Sequence, residues 1–200
     1  MRIDLVAFED FTDIDVVLPW DLLHRVREPG WEIRIVGTEP AHTSSTGLPL
    51  PTHGSVDELA TADVVLFASG MGTRRLIKDP EYLARLRLDP ARQLIGSMCS
   101  GALVLAALGL LDGVEATTYP TAAAELAAYG VHVVERSFVA NGNVATAAGC
   151  LSAQELCGWV VERHLGVDRR NAMLLGIQPV GQGLNFHDAD KVAASYGTSV

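Results

Sequence analysis

A cysteine stands where an apolar strand runs straight into a helix, in Leu94-Ile95-Gly96-Ser97-Met98-Cys99-Ser100-Gly101-Ala102-Leu103. A nucleophile held at such a joint needs a sharp, strained turn, so its neighbours two positions away must be small. Ser97 and Gly101 meet that condition. The turn aims the side chain at a helix N-terminus, where free N–H groups and the helix dipole favour a thiolate. The same N–H groups suit a developing substrate anion. This reading predicts a thiol that titrates roughly within 3.5–7.5. The bland alternative is a small buried residue, the usual fate of a free cysteine. Cys150, after a strand, and Cys157, in an apolar helix, are read that way, since nothing near them in sequence would activate a thiol.

The other polar candidates carry two readings each. In Thr12-Asp13-Ile14-Asp15, Asp15 is either an acid for the cysteine's chemistry or part of a capping-box-like helix start. Ser100 either hydrogen-bonds the sulfur or water, or caps its helix. Gly70 and Met71 follow an apolar strand, at the sheet edge where ligands bind in open α/β folds, and their backbone N–H groups suit a bound intermediate. Trp20 and Tyr119 are either substrate contacts or core and interface residues. The six histidines show no metal-ligand spacing, and three cysteines without a Cys-x-x-Cys pair predict no metal. His187-Asp188-Ala189-Asp190 reads as a solvated cluster.

These residues need a scaffold. Ile3–Phe8, Trp31–Val36, Asp63–Ala68 and Gln93–Met98 read as strands, and Asp63–Ala68 is the continuous apolar run of a strand buried on both faces. Thr12–Val26, Thr73–Leu88 (interrupted by Pro80), Ser100–Leu111, Thr121–Tyr129 and Ser152–His164 read as helices. Short strands at Val131–Val134, Ser137–Ala140 and Asn143–Ala148 follow, the last two joined by the hairpin signal Asn141-Gly142. The alternation predicts an α/β domain: an open, mostly parallel sheet, helices on both faces and a small antiparallel addition. That domain spans 1–166. Residues 167–200 form an extension on or trailing from it, helical at Asp168–Leu175 and, without steady period over Gly181–Val200, an extended or flexible tail.

Composition narrows the partners. With 48% hydrophobic and 20% charged residues, 200 residues can bury a core without disulfides or metal. A net charge of −9 argues against nucleic acid or an anionic membrane. The run Ala102–Leu111 is too short to span a bilayer, and the N-terminus lacks a signal peptide's apolar run. Reduced thiols in a cytoplasmic protein are the expectation.

Four ordered segments resemble the ThiJ/PfpI superfamily, of class I glutamine amidotransferase-like, flavodoxin-like fold. They are Thr12–Asp15 with Pro19-Trp20-Asp21-Leu22-Leu23, Ala68-Ser69-Gly70-Met71-Gly72-Thr73, Cys99–Leu103 with Gly109–Gly113 and Ala116-Thr117-Thr118, and Gly142–Gly149. Within it the chain is most similar to the isonitrile hydratase branch: Asp rather than Glu at 15, Ser100 where that branch has a Thr hydroxyl, and no His after the cysteine. A protease-like branch carries His directly after its cysteine. A deglycase-like branch carries His after the Thr-Thr pair, where Tyr119 stands here. The resemblance implies a cofactor-free, homodimeric hydro-lyase acting on a small molecule, with Cys99 as nucleophile and Asp15 and Ser100 as catalytic partners. The alternatives are a glyoxalase- or deglycase-like activity on 2-oxoaldehydes, and a non-catalytic redox or ligand sensor using Cys99.

Overall fold

Val64–Phe67 is buried at every residue, which a strand achieves only at the centre of a sheet covered on both faces. In the computed structural model, which describes residues 1–195, it is β6 of a seven-stranded sheet. The chain runs β1 (Arg2–Val6), α1 (Ile14–His24), β2 (Glu32–Gly37), β3 (Ala41–Thr43), β4 (Pro49–Pro51), β5 (Gly54–Ser55) and β6. Next come α2 (Thr73–Leu76), α3 (Pro80–Arg85), β7 (Leu94–Met98), α4 (Ala102–Ala107), β8 (Glu115–Ala116), α5 (Ala123–Ala127) and β9 (His132–Val133). The hairpin β10 (Phe138–Asn141) and β11 (Val144–Ala147) precedes α6 (Ala153–Leu165), α7 (Val167–Leu175) and α8 (Ala189–Ser195).

The sheet order is β10-β11-β7-β6-β1-β2-β5, and only β10 runs antiparallel to its neighbour. The register sets Val6 beside Phe67, Phe67 beside Ser97 and Met98 beside Ala147. The outgoing turns of β1, β6, β7 and β11 therefore leave the sheet side by side. Apolar residues form one core with α1 and α6 on one face, and a second with α4 and α5 on the other. At one edge β5 is two residues long. At the other, Asn141 of β10 donates from Nδ2 to the Glu115 carbonyl of β8 (2.8 Å).

The expected α/β architecture, with its one antiparallel addition, is what the chain adopts. Helices are shorter than their periodicity predicts. Thr73–Leu88 splits into α2 and α3, with Asp79 capping α3 ahead of Pro80, because proline fits a first helical turn and not an interior. The helix expected over Ser100–Leu111 becomes a 3₁₀ turn at Cys99–Gly101, then α4, which stops before Gly109 at φ 72°. The C-terminal segment departs further from expectation. Residues 186–195 are helical rather than extended, and Asp188 is a buried helix-start residue accepting from Asn185 N (3.0 Å), not a solvated side chain. The remainder of that stretch, 196–200, lies outside the described residues. α7 lies along α6 and buries Met173 in the first core.

Candidate active site

β7 delivers Cys99 to the edge of the sheet in a left-handed conformation, φ 45°, that costs a non-glycine residue about 1–3 kcal/mol. Its surroundings fix the turn. Thr118 Oγ1 donates to the Cys99 carbonyl (2.9 Å). A Cβ on Gly101 would lie 2.6 Å from the Ala68 carbonyl oxygen and 3.3 Å from Ser97 Cβ, so the small flanks are a steric requirement.

Asp15 reaches the same place from α1. The loop after β1 is locked to the turn after β6: Thr12 N–H donates to the Ser69 carbonyl (2.8 Å), and Phe11 bridges Gly70. Gly70 has φ 145°, and a Cβ there would sit 2.1 Å from the Asp10 carbonyl oxygen, so only glycine permits this approach. Asp15 is 3% exposed. Ser69 Oγ donates to its Oδ2, while Oδ1 has no hydrogen-bond partner of ordinary geometry. The capping reading of Asp15 is not what the fold uses: the helix begins after Asp13 without any side-chain cap, and Asp13 instead accepts from Ser44 Oγ (2.6 Å) and Thr46 Oγ1 (2.9 Å).

A carboxylate oxygen of Asp15, Cys99 Sγ and Cys150 Sγ lie within 4.8 Å of one another. Burial pushes the Cys99 thiol well above its ordinary range, and the charge of Asp15 pushes it further; a Gly149 backbone N–H opposes them. This environment opposes the low-titrating thiolate expected from the turn. Cys99 opens a three-residue 3₁₀ turn ahead of the six-residue α4, and these short elements do not offset desolvation beside a carboxylate. Cys150 is raised as well, by burial first and then by Asp15.

Ser100 Oγ accepts from Gly70 N–H (3.1 Å) and Thr73 Oγ1 (3.3 Å) and donates to the Gly70 carbonyl (3.2 Å). It neither caps a helix nor engages the sulfur; it ties the elbow to the turn after β6. Gly70 N–H is therefore committed and unavailable to an intermediate, whereas Met71 N–H has no acceptor among the described residues. Cys99, Ser100, Gly70, Met71 and Tyr119 line one pocket of about 280 Å³, with Met71 and Tyr119 exposed at its mouth. A larger groove of about 750 Å³ adjoins it through Tyr119 but does not include Cys99. Trp20 is not at the site. It packs against the first core and stacks on His53 (5.2 Å between centroids).

Sequence reasoning missed Cys150, Ser69 and Arg74. Cys150 follows β11, and only the pairing of β11 with β7 brings it to Cys99. Arg74 lines the pocket while paired with Glu125 (3.1 Å). Asp15, Cys99 and Cys150 also form a donor set with the spacing to hold a thiophilic ion.

The sequence profile of the DJ-1/PfpI family matches residues 1–163. The chain belongs to this family. Its DJ-1/PfpI relatives include isonitrile hydratase of Pseudomonas putida, 28% identical over 180 residues, which are 89% of this chain and 78% of that protein. Another is deglycase PfpI of Pyrococcus furiosus, 24% identical over 171 residues, 83% of this chain and 92% of the relative. Among solved structures, a ThiJ/PfpI family protein from Pseudomonas syringae superposes with a TM-score of 0.79 at 24% identity, over 98% of this chain and 90% of that one. Schizosaccharomyces pombe DJ-1 gives 0.76 at 18% identity, over 90% and 100%. These likenesses establish the α/β fold. No helix among the described residues is long and apolar enough to cross a membrane.

Proposed function

We propose that this chain hydrates an isonitrile to an N-substituted formamide, using Cys99 as nucleophile and Asp15 as proton carrier. The observation that carries the reading is the buried Asp15 carboxylate within 4.8 Å of the Cys99 sulfur, beside a pocket sized for a small molecule. The isonitrile hydratase relative supports it.

The raised thiol fits this chemistry. An isonitrile carbon becomes attackable only as it is protonated, so the site must hold a proton and a nucleophile together. Burial and the charge of Asp15 keep the proton on the pair at rest. Asp15 takes it from Cys99 and delivers it to the isonitrile carbon as Sγ bonds there, giving an S-bound thioimidate. Water, deprotonated by Asp15, then adds to that carbon. The C–S bond breaks, the substrate nitrogen and the sulfur each end with one proton, and the formamide leaves. Every atom comes from substrate, water or these two side chains.

Ser69 and Ser100 act as positioning residues, the first on Asp15 and the second on the Gly70 turn. The test is formamide production from an alkyl or cycloalkyl isonitrile by the wild-type protein and by Cys99→Ser and Asp15→Ala. Turnover lost in both variants is the expected result. No formamide from the wild type, with Cys99-dependent consumption of methylglyoxal instead, would replace this reading with the 2-oxoaldehyde activity suggested by the deglycase relatives.

A further inference from the structure

We propose that Cys150 is a resolving thiol for Cys99: on reaction with a hydroperoxide, the two close an intramolecular disulfide that spares Cys99 from irreversible oxidation. The hydration chemistry makes no use of Cys150, so this inference stands apart from it. Three observations carry it.

The first is topological. β7 and β11 are hydrogen-bonded parallel neighbours with Met98 opposite Ala147, so the turns bearing Cys99 and Cys150 leave the sheet together. Cys99 lies one residue beyond that last register pair and Cys150 three, each in the first turn after its strand. The two sulfurs are already within 4.8 Å of each other, so bond formation needs an approach of no more than about 3 Å. The second is access. Both cysteines line the same pocket, and Cys150 is partly exposed. A hydroperoxide is small enough to enter it. The third is adaptability at the resolving end: Cys150 follows Gly149, at φ 82°, and opens a short 3₁₀ turn at Cys150–Ser152. Cys157, sealed in the core on α6, has none of these properties.

The steps balance. Cys99 gives up its proton and attacks one peroxide oxygen. The O–O bond breaks, water or an alcohol leaves with that proton, and the sulfur is oxidised by two electrons to a sulfenic acid. Cys150 then attacks the sulfenic sulfur, the S–O bond breaks, and water leaves with the Cys150 proton as the S–S bond forms. Asp15, with a carboxylate oxygen within 4.8 Å of both sulfurs, is the base within reach of each step.

The test is hydrogen peroxide titration of the whole chain, followed by intact-mass measurement, peptide mapping and dithiothreitol. Wild type is expected to lose about 2 Da, to yield a linked Cys99–Cys150 peptide, and to regain its mass with dithiothreitol. Cys157→Ala should behave as wild type. Cys150→Ser should instead gain about 32 Da at Cys99, unrecovered by dithiothreitol. Wild type that gains about 32 Da at Cys99 while Cys150 stays alkylatable would overturn the proposal, as would a disulfide between two chains or no change of mass. The wild-type peptide map decides even if Cys150→Ser fails to fold, and none of these readouts requires turnover of an isonitrile.

Discussion

Cys99 and Cys157 carry the same thiol, are both almost wholly covered, and are both raised by burial above the ordinary thiol range. Burial is the sole cause at Cys157, which points into the core from the middle of α6. At Cys99 a carboxylate adds to it, the backbone is left-handed, and the side chain lines a pocket. Accessibility alone would have grouped the two as inert. What separates them is chemistry that can be relieved: a proton with a second place to go, and a strained turn that fixes where the sulfur points.

The comparison breaks most sharply by removing each sulfur. Cys99→Ala is expected to reduce formamide production to background. Cys157→Ala should leave turnover intact and lower stability by about 1–2 kcal/mol, the scale of a small core deletion. Equal losses of turnover, measured beside melting temperatures, would erase the distinction.

Next is the carboxylate. Asp15→Asn should cut turnover by about 10²–10⁴, the range for a positioned proton-transfer group. The same substitution removes a negative charge that raises the Cys99 thiol, so the thiolate should appear at lower pH. The alkylation midpoint of Cys99 therefore moves down while activity falls; an unmoved midpoint means the charge of Asp15 does not reach the sulfur.

The glycines beside the two cysteines sharpen the contrast further. Gly101→Ala puts a Cβ 2.6 Å from the Ala68 carbonyl and should cost about 1–3 kcal/mol, with loss of turnover. Gly158→Ala, next to Cys157, meets only side-chain atoms at ordinary contact distance, Arg170 Cγ at 3.4 Å and Leu174 Cδ1 at 3.6 Å, and should gain up to about 1 kcal/mol from helix propensity. Thermal melts of both variants check the pair.

The smallest effect is expected from pH. Burial lowers the pKa of His42, whose Nε2 accepts from Thr38 N–H (3.2 Å) and anchors the hairpin leading to Ser45 at the pocket. The folded state resists a proton that the unfolded chain takes up near its ordinary value of about 6.5, so this contribution is full above that pH and declines as pH falls toward the folded-state pKa. His164, also lowered by burial, acts in the same direction. Melting temperature against pH should show a shallower acid decline in His42→Gln than in wild type.

Much of this contrast is legible in the residues. The elbow announces itself because only small residues fit around so tight a strand-to-helix turn, and the sheet does so because Val64–Phe67 is apolar throughout. Cys150 is invisible until β11 is set beside β7, since nothing local activates it. Trp20 shows the opposite error: an aromatic near a site in sequence faces His53 once α1 is oriented. The hairpin of β3 and β4 escapes notice because Pro49 and Pro51 suppress the usual strand signal.

The ends of the sheet have a consequence for life at high concentration. An open sheet invites copies of itself to add on wherever a long border of unpaired amides is left bare. One border here is the two-residue β5, too brief to template much pairing. The other is partly engaged where Asn141 reaches Glu115. With little bare border at either side, the folded chain offers a poor seed for strand-by-strand aggregation, so the hazard falls mainly on partly folded chains whose apolar central strands have yet to find one another.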